Sequence, residues 1–171
     1  SLHDSLPFSP LEILPDPRSN APAEDFAAQD RLLVLIEADL TSLRQTVLKL
    51  ISVHDQIASV TSKLADPAAV KAGRSLTDEL EAAKNAIVQH GIKRREIAPP
   101  NLLYDDLNTF HKTVNTPQAT LDAAKSDMYP VLHEEWLSHE RTIDTLLGAE
   151  LEAFNRRLSR SGLPPIVAGD R

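Results

Sequence analysis

Residues 26–64 read FAAQDRLLVLIEADLTSLRQTVLKLISVHDQIASVTSKL, and the spacing of their apolar side chains decides the fold. One row runs Phe26, Leu33, Leu40, Val47, His54, Thr61. The other runs Gln29, Ile36, Leu43, Leu50, Ile57, Leu64. Alternating steps of three and four residues over about six heptads describe a single helix with a continuous buried stripe. Such a helix does not stand alone in water, so the rest of the chain has to cover it. The fold class is therefore all-α.

Towards the N-terminus, residues 1–18 are rich in proline and have no helical period. Phe8-Ser9-Pro10-Leu11-Glu12-Ile13-Leu14-Pro15 alternates like a short edge strand, so this part is expected to be an extended arm, the end of a preceding module. Asn20 can cap helix one, with Pro22, Glu24 and Asp25 in its first turn. Asp66-Pro67 should end that helix. Helix two is expected from about Ser75, burying Leu76, Leu80, Ala83 and Ile87 before Gly91 stops it. Helix three should follow Asn101 and bury Leu103, Leu107, Phe110 and Val114. Helix four should open at Pro117 and run to Gly162, with Pro130 kinking it or splitting off a leading segment.

Two long helices (one and four) and two of about half their length, joined by short connections, predict an up-down-up-down four-helix bundle over residues 19–162. In that arrangement residues 47–64 and 121–139 belong to a four-helix head. Residues 26–43 and 146–158 then pair as an antiparallel extension, and residues 163–171 leave as an extended tail.

Composition bounds the function more by exclusion than by content. The 171 residues make one domain, 42% hydrophobic and 25% charged, with a formal net charge of −7. Lys93, Arg94 and Arg95 are the only basic cluster, which argues against a nucleic-acid partner. No apolar run reaches the length of a membrane span. Without cysteine there is neither a disulfide framework nor a thiolate metal site.

Five histidines, His54, His90, His111, His133 and His139, form the best candidate metal set, because helix bundles host carboxylate and histidine sites. No Glu precedes a His by three positions, so the di-iron pattern is absent. Placing Leu64 opposite Leu121 puts His54 near residue 131, His111 near 61 and His139 near 46. Only His54 and His133 then meet. A core histidine bonded to a neighbour is the commoner use of such positions. Asp105-Asp106 and Glu134-Glu135 point about 100° apart on their helices and do not make two-carboxylate sites. No Gly-x-Ser-x-Gly and no phosphate-cradling loop is present. No catalytic residue and no cofactor is assigned on these grounds.

The stretch Leu146-Leu147-Gly148-Ala149-Glu150-Leu151-Glu152-Ala153-Phe154-Asn155, then Leu158, then Gly162-Leu163-Pro164-Pro165-Ile166, resembles the C-terminal end of bacterial sortilin-like (BNR/Asp-box repeat) glycosyl-hydrolase-type β-propeller proteins. Pro10-Leu11-Glu12-Ile13-Leu14-Pro15-Asp16-Pro17-Arg18 is similar to the final strand of the module before that helical end. The resemblance implies a non-catalytic accessory or interaction domain that packs on a preceding β-propeller or β-sandwich module of an exported protein (periplasmic, cell-surface or secreted). The propeller's own residues are not in this stretch, so no hydrolase chemistry comes with it. Two alternatives from other classes remain: a stand-alone metal-binding bundle enzyme, and an adaptor or homo-oligomerisation domain that pairs with another copy.

Overall fold

A computed structural model describes residues 22–88, 102–116 and 122–169. Among them every regular element is helical. Helix α1 (Ala23–Thr61) is 39 residues long, α2 (Pro67–Ile87) 21 and α3 (Leu103–Val114) 12. Helix α4 (Ala123–Thr145) passes through a π-turn (Leu146–Glu150) into α5 (Leu151–Arg160), with helical backbone at both junctions. The expected arm, Asn20, Gly91, Asn101 and Pro117 lie outside the described residues.

The turn between α1 and α2 is tighter than expected. Helix α1 already ends at Thr61, so Asp66-Pro67 does not stop it but begins the next helix. The Asp66 carboxylate accepts from the Ala68 amide at 3.0 Å, and Pro67 occupies the first turn, where its missing N–H costs nothing. Helix α2 therefore starts well before Ser75. Helix α4 is likewise capped by Asp122, which accepts from the Lys125 amide at 2.9 Å. Pro130 lies inside α4, exposed to solvent, and the helix is not split there.

The up-down-up-down order is corrected by the cross-helix contacts. Arg44 faces Tyr104, Glu37 faces His111, and Gln29 reaches Val114 and Thr116. So α3 runs antiparallel to α1, in the same sense as α2. Asp39 meets Tyr129 and His133, while Phe154 lies against Gly73 beside Thr61, so α4 and α5 run parallel to α1. The result is three columns: α1, then α2 continued by α3, then α4 with α5. Lengths explain this. At 1.5 Å per residue α1 spans about 58 Å, α2 only about 32 Å and α3 about 18 Å, so two short helices in series tile one long one. The expected pairing of residues 26–43 with 146–158 does not occur, because α5 lies at the opposite end, beside α2.

Burial follows from three columns. Ile36, Leu43, Leu50 and Ile57 are fully buried along the centre of α1. Leu40 and Thr61 are buried on one flank, and Leu32, Asp39 and Val53 on the other. Phe26, Leu33, Val47 and His54 are only half-buried. A helix with two partner columns needs a wider stripe than a two-helix seam. Trp136 is a core residue.

The π-turn keeps one face inward along the third column. Leu132, Trp136, Ile143 and Leu146 are buried, and a regular continuation would bring Glu150, Ala153 and Arg157 to the core. The apolar residues come one position later, at Leu151, Phe154 and Leu158. One widened turn absorbs the extra residue, and all three are buried.

Candidate functional site

The most organised polar cluster joins α1 to α4. Asp39 stands three residues after Ile36 and four before Leu43, so the helical period carries its carboxylate into the core, where its side chain is only 9% exposed. Its Oδ2 accepts the Tyr129 hydroxyl at 2.9 Å and lies 2.9 Å from His133 Nδ1. Tyr129 and His133 are one turn apart on α4, and their rings stack with centroids 5.4 Å apart at 24°. Burial, then the hydrogen bond and charge of Asp39, push the Tyr129 phenol well above its ordinary pKa.

This geometry could orient an imidazole as a base, since a carboxylate on Nδ1 fixes the tautomer and turns Nε2 away. Among the described residues no nucleophile completes the arrangement. The Tyr129 hydroxyl is held by Asp39 and resists ionisation, and among the described residues no Ser or Thr hydroxyl bonds to His133. The cluster does serve to tie α1 to α4. A buried carboxylate with two donors is satisfied, and losing either donor would leave polar groups unpaired.

The other histidines are distributed. His54 Nδ1 lies 3.0 Å from Asp55 Oδ1, beside a recess of about 130 Å³ lined by Leu50, Ile51, Leu80, Glu81 and Lys84. His111 Nε2 is 3.2 Å from Glu37, and His139 Nε2 is 4.0 Å from Glu135 on its own helix. His90 lies outside the described residues. The expected meeting of His54 with His133 does not occur. His133 is at the level of Asp39, about 22 Å below His54 along α1. That expectation assumed α4 antiparallel to α1. Among the described residues no group of three His, Asp or Glu side chains is placed to hold a metal ion. Glu134 is paired with Arg141 at 2.6 Å, while Asp105 and Asp106 occupy the first turn of α3, where acids suit the helix dipole.

Asp39 and Tyr129 were missed by motif reading. The available signal was an acid at an apolar position of the helical period, with Tyr129 and His133 four residues apart. A second constellation explains the C-terminal sequence pattern. Gly162, at φ +71°, turns the chain out of α5, and the Leu163 amide bonds back to the Leu158 carbonyl at 3.0 Å. The Asn155 side chain then donates to the Ile166 carbonyl and accepts from the Ile166 amide, both at 2.8 Å. Ile166 is buried by this return. The Phe-Asn-x-x-Leu and Gly-Leu-Pro-Pro-Ile elements are thus two sides of one tail clamp.

No helix of the described residues is long and apolar enough to cross a membrane. A comparison with protein-family models, with curated proteins and with solved structures finds no match to this chain.

Proposed function

We propose that this chain is a non-catalytic helical accessory or interaction domain that packs against a preceding β-propeller or β-sandwich module in an exported protein. The observation that supports it most is the use of Asp39. The best-built polar cluster in the described structure spends its carboxylate on joining two helices and lacks a nucleophile. The cross-helix pairs of Arg44 with Tyr104 and of Glu37 with His111 also link helix to helix.

The non-catalytic reading is tested by metal analysis of the purified chain. No stoichiometric metal is expected. Stoichiometric Zn, Fe or Mn that disappears on His133→Ala or His54→Ala would establish the metal-enzyme alternative instead. The context is tested on the complete gene product. Asp-box repeats are expected on the N-terminal side of Ser1, and a chain without any propeller or β-sandwich module there would overturn it.

A further inference from the structure

We draw no further inference here: the strongest candidate, the recess of about 130 Å³ between α1 and α2 whose His54 and Lys84 lie against Asp55 and Glu81, pairs its charged groups with one another, and nothing in the structure shows what fills it.

Discussion

The two ends of the molecule are held together differently. At the end formed by α1, α2 and α5, helices touch through small and apolar groups. A Cβ built on Gly73 would run into Thr61 Oγ1 and stand 3.2 Å from the Phe154 ring. At the end formed by α1, α3 and α4, side-chain hydrogen bonds between helices add to the apolar contacts. Gln29 donates to the Val114 and Thr116 carbonyls, satisfying acceptors that a helix C-terminus leaves open. Glu37 with His111, Arg44 with Tyr104 and Asp39 with Tyr129 and His133 complete that set. The difference follows from helix length. Helix α2 is long enough to lie close along α1, whereas the 12-residue α3 presents four buried apolar residues and is supplemented by polar ties.

The largest effect is expected at the close-packed end. Phe154→Ala should lower unfolding free energy by about 3–5 kcal/mol in urea denaturation, because a buried ring is lost from a site with no room to collapse. A loss near zero would mean that the close packing is not what holds that end. Asp39→Ala should cost about 1–3 kcal/mol, since it removes the acceptor that the Tyr129 hydroxyl and the His133 ring share. Asp39→Asn, which keeps a carbonyl acceptor, should cost less, and equal losses would argue against the clamp. Gly73→Ala comes next. Overpacking against Thr61 costs about 1–3 kcal/mol, offset in part by about 1 kcal/mol of helix propensity. Adding Thr61→Ala should restore the loss, because the Thr61 hydroxyl is buried without a partner. A double variant no better than Gly73→Ala would place the strain elsewhere.

Asn155→Ala should cost about 1 kcal/mol and act locally. Amide exchange at Ile166 should accelerate while that of Leu43 does not, and uniform acceleration would show that the tail is part of the global unit.

The smallest effect is confined to alkaline pH. The two tyrosines belong to the polar end and shift in opposite directions. Hydrogen bonds from Asn108 and Arg44 lower the Tyr104 phenol, while burial and Asp39 raise that of Tyr129. A phenol raised in the folded state binds its proton more tightly there than in the unfolded chain. Its contribution is therefore complete below about pH 10 and declines as pH rises above that. Absorbance at 295 nm should show one tyrosine ionising near or below pH 10 and the second only with loss of helical circular dichroism. A single transition for both would contradict the buried pairing of Tyr129.

Much of this architecture was legible in residue spacing. The buried centre of α1 at Ile36, Leu43, Leu50 and Ile57, and the faces of α2 and α3 at Leu76, Leu80, Ile87, Leu103, Leu107, Phe110 and Val114, follow from period alone. Asp66-Pro67 was half-legible, because it marks the boundary between the two helices but caps and opens the second rather than stopping the first, which ends at Thr61. The site was not legible. Asp39 looks like an ordinary polar residue until Tyr129 and His133 arrive from 90 and more residues away. Nor did the histidine pattern help, since which histidines share a level depends on helix direction.

By itself the sequence determined that the described residues are helical, most of the side chains that face inward, and that Gly162 ends the last helix. These are properties of neighbours within one or two turns, set by the 3.6-residue period and by the missing donors and acceptors at helix ends. Only the tertiary structure decided that α3 continues the direction of α2, that the third column inserts a π-turn, and that Asn155 holds Ile166. Those choices depend on how separate lengths tile against one another. The physical reason is that burial of an apolar stripe fixes that it must be covered but not from which direction the covering chain comes.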